Sequence, residues 1–161
     1  MYRASLLFAF FCLSRICLAL PSDNKETIHI NSDAWTYNYK TGVNEYTGHV
    51  TVNQGTTHLT ADKLTTKMNT QRKIQEAIAY GLKEPAHYWT RTQMNNTEMH
   101  AFAHVIKYYP VEANVTLEKN VLVKQGENSF QGDLIHYNSY DQTIIVPELG
   151  KSRAVLVYNP S

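Results

Sequence analysis

Along most of this chain, apolar or aromatic side chains occupy every second position, and helical periodicity is nearly absent. The segments AWTYNYK (34–40), HVTVNQ (49–54), THLTADKLTTK (57–67), VTLEKNVLVKQ (115–125), DLIHYNS (133–139) and RAVLVY (153–158) all follow that period. They are rich in Val, Thr and Tyr and are separated by Gly, Asn, Gln or Pro, the composition of half-buried strands between turns. One stretch, 71–79, has spacing that a short helix also satisfies. Its place between two strand-like segments favours a strand. Many short strands in succession predict an all-β fold, a single domain of folded antiparallel sheet in the jellyroll or roll class.

The pattern is written twice. Val50, Val52, Gln54, Gly55 and Asp62 recur as Val121, Val123, Gln125, Gly126 and Asp133, each 71 positions later with no gap. Leu59, Ala61 and Leu64 are matched by Phe130, Gly132 and Ile135. Such a repeat signals two copies of one supersecondary unit. Within each copy the apolar parity switches: Leu59 and Ala61 fall on odd positions, Leu64 on an even one. Side chains on a straight strand alternate strictly, so the backbone must bend there. Asp62 and Asp133 sit at the bend, where a carboxylate can accept hydrogen bonds from local backbone N–H groups. A weaker third copy, Phe102-Ala103-His104-Val105-Ile106, puts His104 at the Asp position.

One apolar face follows from this. It gathers Ile28, Ile30, Tyr37 and Tyr39 from the start of the chain, then Val50, Val52, Leu59 and Leu64 from the first copy. Tyr88, Phe102, Ile106 and Tyr108 come from the middle, and Val121, Val123, Phe130 and Ile135 from the second copy. Alternation alone favours an ordinary closed core over an open apolar groove, and leaves a structural scaffold as one reading.

Composition changes the picture at the N-terminus. Residues 1–19 carry Arg3, an apolar run from Leu6 to Leu13, and the small-residue site Cys17-Leu18-Ala19 before Leu20. That is the build of a secretory signal peptide cut after Ala19, with an apolar run too short to span a bilayer. The mature domain, 20–161, then contains neither Cys12 nor Cys17 and needs no disulfide. Loss of Arg3 and Arg15 takes the formal charge from +1 to −1. A near-neutral domain has no basic surface for nucleic acid.

Candidate chemistry is sparse. His100 and His104 are four apart with His87 near, but the segment alternates like a strand, and no cysteine or carboxylate pair completes a metal set. Asp62 and Asp133 invite comparison with a glycosidase pair, yet equivalent repeat positions mark them as corner residues. No serine stands in a nucleophile elbow and no glycine-rich loop cradles phosphate. The expectation is a protein that is not an enzyme and uses no metal or cofactor.

Longer stretches carry a resemblance. Ile28-His29-Ile30-Asn31-Ser32-Asp33, then Tyr46-Thr47-Gly48 running into Val50-Thr51-Val52-Asn53-Gln54-Gly55-Thr56, and Leu59-Thr60-Ala61-Asp62-Lys63-Leu64 resemble the OstA-like domain of the LptA family of lipopolysaccharide-transport proteins. Pro85-Ala86-His87-Tyr88 and Gly132-Asp133-Leu134-Ile135-His136-Tyr137 are similar to later elements of that domain, so the likeness spans about 27–157. The resemblance implies a V-shaped β-jellyroll in the periplasm whose apolar interior holds lipid A acyl chains of lipopolysaccharide. It also implies head-to-tail homo-oligomers that bridge an LptC-like inner-membrane protein and an LptD-like outer-membrane protein. On that footing the apolar face is an open groove, and the residues named above are its lipid-binding lining.

Overall fold

Each copy of the repeat folds as a long hairpin. Strand β3 (Val43–Gln54) turns into β4 (Thr57–Met68), and β9 (Asn114–Gln125) into β10 (Asn128–Asn138). Both turns begin on a glycine with a left-handed backbone, Gly55 at φ 56° and Gly126 at φ 58°. Glycine reaches that conformation without a Cβ clash, which is why both copies write Gln-Gly at the same place. The computed structural model describes residues 26–91, 97–138, 143–148 and 153–159. The expected leader, 1–19, and the start at Leu20 lie outside these residues.

Around the hairpins run β1 (His29–Asn31), β2 (Ala34–Asn38), β5 (Ile74–Tyr80), β6 (Ala86–Arg91), β7 (Glu98–Ala103), β8 (Val105–Tyr109), β11 (Thr143–Ile145) and β12 (Val155–Val157). All pairings are antiparallel and link the strands into one 12-stranded sheet. The stretch 71–79 is mostly β5, a strand as its context requires.

The parity switch is a real bend, and its cause lies on the partner strand. Thr47 pairs with Lys63 and Val50 with Ala61, so Gly48 and His49 together face the single residue Asp62. In the second copy Lys119 and Asn120 face Asp133 in the same way. These are β-bulges, two residues against one, and all four extra residues have left-handed φ: Gly48 77°, His49 45°, Lys119 67°, Asn120 54°. For the three non-glycine residues that conformation costs about 1–2 kcal/mol each, which packing on both sides of the bend must offset. His104 breaks β7 from β8 at the same level; its N–H donates to Lys119 O (3.1 Å), and its Nδ1 meets Gly81 O at 2.6 Å. Because a carbonyl only accepts, Nδ1 carries the proton.

Asp62 does not cap its own bend. Its Oδ2 accepts N–H bonds from Leu82 (2.6 Å) and Lys83 (2.9 Å), in the connection between β5 and β6. The local-capping expectation is corrected to a tie across the sheet. Those bonds, Lys83 first and Leu82 second, hold the Asp62 carboxyl below the usual carboxylate range.

The bend divides the sheet into two arms. On one side of it β4 pairs with β5 and β9 with β8; on the other β4 pairs with β6 and β9 with β7. Val50, Leu64, Ala79, Ala86, Ala101, Ala103, Ile106, Leu117, Val121, Val123 and Ile135, drawn from both arms, form one buried cluster. Alanines recur close to the bend, where Ala79, Ala101 and Ala103 join Val50 and Val121 in the cluster.

Candidate functional site

Cross-strand partners share a face of the sheet, so the register traces the inner surface in rows. On one arm the row is Ile30, Val52, Leu59, Tyr88, Ala101, Val123, Phe130 and Leu156, which crosses eight strands from β1 to β12. On the other arm it is Trp35, Tyr46, Leu64, Ala79, Ile106, Leu117 and Ile135, from β2 to β10. Both rows run across the strands, parallel to the bend. Among the described residues the end strands of the first row are paired on one side only, β1 to β3 and β12 to β10. Near those ends Trp35, Val155, Leu156 and Val157 are exposed.

Ile30, Val50, Val52, Leu59, Leu64, Tyr88, Ile106, Val121, Val123, Phe130 and Ile135, all expected on the apolar face, belong to the buried cluster or pack against it. Thr51, between two of them, pairs with Asn31 and Thr60 on the opposite face. Tyr37 and Tyr108 lie on the inner side but in a row further from the bend than Leu64, where Tyr108 is 42 % exposed. Tyr37 packs edge-on against Tyr39, 4.6 Å between ring centres. Ile28 precedes β1 and is 42 % exposed.

Phe102 is misplaced by the sequence reading. It pairs with His87 and Leu122 on the outer face, while Ala101 and Ala103 point inward. Counting back from the corner residue His104, as from Asp62, lands on Ala101 and Ala103 and not on the bulkier neighbour. Residues the reading omitted, Tyr46, Ala61, Ala79, Ala86 and Leu117, join the cluster by the same count or by pairing, and Val146, just past β11, packs against it.

The outer face explains Phe102. Its ring stacks on His87 at 4.2 Å, His87 on Trp89 at 4.5 Å, and Trp89 on His58 at 5.0 Å, a column across β4, β6 and β7. His87 Nε2 also meets His100 Nδ1 at 3.0 Å. Their ring centres are 5.2 Å apart, so the two imidazoles meet edge to edge and share one proton. Among the described residues no group of three or more His, Cys, Asp or Glu side chains is placed to hold a metal ion. Burial, and then the neighbouring His100, push the His87 pKa below the ordinary 6.5. The unfolded chain therefore binds the extra proton first, and stability from this group is complete above pH 6.5 and drains away as pH falls through the lower folded value. Thermal melts across pH 5–7.5 are expected to show this fall, and His87→Phe to flatten that part of the profile. An unchanged slope in His87→Phe would assign the fall elsewhere.

Comparison with known proteins agrees with this geometry. Residues 29–143 match the family model described as LptA/(LptD N-terminal domain) LPS transport protein. The lipopolysaccharide export system protein LptH of Pseudomonas aeruginosa is 31 % identical over 131 residues, 81 % of this chain and 74 % of that protein. The crystal structure of LptH, described as the LptA homologous periplasmic component of the conserved lipopolysaccharide transport device from the same organism, superposes with a TM-score of 0.76. It is 27 % identical over 87 % of this chain and 100 % of that one. With the family model matching residues 29–143 and a relative 31 % identical over 81 % of its length, this chain belongs to the LptA/LptD N-terminal domain family of lipopolysaccharide-transport proteins.

Proposed function

We propose that this protein is a periplasmic carrier that shields the acyl chains of lipopolysaccharide on their way from inner to outer membrane. The observation that carries the reading is the inner row from Ile30 to Leu156, apolar throughout and with no further strand at either end among the described residues. An acyl chain of about a dozen methylenes loses about 10 kcal/mol on entering water, at about 0.8 kcal/mol per CH₂. A lined path must therefore be continuous across the aqueous gap. Stacking copies edge to edge, β12 of one beside β1 of the next, joins their rows into one path, with an LptC-like protein at one end and an LptD-like protein at the other. Residues 1–19 act as the leader that sends the chain to the periplasm. The inner-face residues Ile30, Val52, Leu59, Tyr88, Val123 and Phe130 are the contact surface for the chains.

Native mass spectrometry of the mature protein, purified from cells with a lipopolysaccharide-containing outer membrane, tests this. The expected spectrum shows protein starting at Leu20 with lipopolysaccharide bound. Protein that remains free of lipid after incubation with purified lipopolysaccharide would leave the closed-core scaffold as the better reading.

A further inference from the structure

The inner face is not uniformly apolar, and its polar residues are not scattered. Among the described residues three polar side chains are buried: Asn44 (4 % exposed), Thr66 (3 %) and Thr90 (3 %). All lie in inner rows away from the bend. On one arm that row reads Tyr37, Asn44, Thr66, Ala77, Tyr108, Val115, Tyr137 and Ile144. On the other, Thr90 pairs with Met99, and its hydroxyl lies 2.9 Å from that of Thr57. Buried polar side chains thus occur away from the bend on both arms.

The hydrogen bonds on the first margin can be followed atom by atom. The Trp35 indole N–H donates to Asn44 Oδ1 (3.2 Å), and Asn44 Nδ2 donates to Thr66 Oγ1 (3.1 Å). An indole N–H only donates, so it fixes the amide with Oδ1 towards Trp35 and Nδ2 towards Thr66. Thr66 Oγ1 is then an acceptor of one bond whose own hydrogen has no acceptor among the described residues. The second Nδ2 hydrogen of Asn44 has none either. Each of these atoms already has one partner, so what remains is one O–H and one N–H hydrogen beside an apolar surface, where an added oxygen acceptor is favourable. Trp35 touches Asn44, is 61 % exposed and stands on β2, which among the described residues pairs only with β3, so it is the most accessible part of their cover.

We infer that Thr66 and Asn44 donate hydrogen bonds to the carbonyl oxygen of an ester or amide that joins an acyl chain to its headgroup. This rests on the carrier reading above and deepens it: the methylenes lie towards the bend, and the carbonyl stops at the polar margin. The pair sets the depth to which an acyl chain enters. It also distinguishes acyl lipids from plain alkyl amphiphiles, which bring no carbonyl.

The test compares wild type, Thr66→Val and Thr66→Ser, each in a Trp89→Phe background so that Trp35 emission alone reports binding. Purified lipopolysaccharide and dodecyl maltoside, an alkyl amphiphile without a carbonyl, are the two probes. Thr66→Val is expected to weaken lipopolysaccharide binding about five- to tenfold, the weight of one hydrogen bond. Dodecyl maltoside binding should stay unchanged, and Thr66→Ser should restore the lipopolysaccharide affinity. Equal weakening for both probes, or no weakening, overturns the inference. Wild type that binds neither probe overturns the carrier reading and this inference with it. The infrared carbonyl band of lipopolysaccharide bound to wild type is a second measurement that needs no variant. It should shift to lower frequency, and an unshifted band also overturns the assignment.

Discussion

A carboxylate at Val52 or Val123 is expected to abolish lipopolysaccharide binding, whereas Thr51→Glu on the same strand is expected to be tolerated. Val52 and Val123 stand in one inner row, linked through Leu59, Tyr88 and Ala101. An unpaired charge there would face acyl chains on one side and the buried cluster on the other, at a cost of several kcal/mol. Thr51 belongs to the outer row with Asn31 and Thr60, so a carboxylate there keeps its water. Photo-reactive side chains test the register without adding charge. Positions 52 and 123 should crosslink to lipopolysaccharide in cells, and 51 and 122 should not, because Leu122 pairs with Phe102 and Gln131 on the outer face. Circular dichroism and a thermal melt of each purified variant separate loss of binding from loss of fold. Equal crosslinking at 51 and 52 would sink the inner-row assignment.

The register was legible where the sequence wrote a regular period. Val50, Val52 and Leu59 alternate from a glycine turn, and the second copy repeats them, so a strand slip would have to fail in both places. The bend was legible from the parity of Leu64, but its cause was not. Parity shows that a residue is out of step, not which strand carries the bulge, and the left-handed pair Gly48-His49 leaves no apolar mark. Phe102 shows the weakness of size as a guide: aromatic stacking on His87 keeps a phenylalanine on the outer face, while small Ala101 and Ala103 line the inner one. Asn44 and Thr66 were hidden for a different reason. Their burial depends on pairing between residues 22 apart and on cover from Trp35, and neither is visible in local alternation.

On the edge-to-edge stacking proposed above, Leu156→Pro is expected to leave monomers in place of head-to-tail oligomers, each monomer still able to bind lipid. Among the described residues β12 pairs with β10 alone, through Ser129, Phe130 and Gln131, which leaves the backbone groups of its other side without a strand partner. Val155, Leu156 and Val157 are all exposed, so the edge is apolar as well as unpaired, the condition under which strands add to strands. A proline at 156 has no N–H to give. If that amide points outward, the edge loses a donor; if it points to β10, the strand lets go and takes the edge with it. Either way the next copy has no complete strand to join. The opposite edge, β1 with Ile30 in the same row, is untouched, so a mixture with wild type should form chains that the variant caps at one end. Sedimentation velocity over a range of concentrations reads both effects. Oligomers of unchanged length from a variant that still melts cooperatively would show that copies join through another surface.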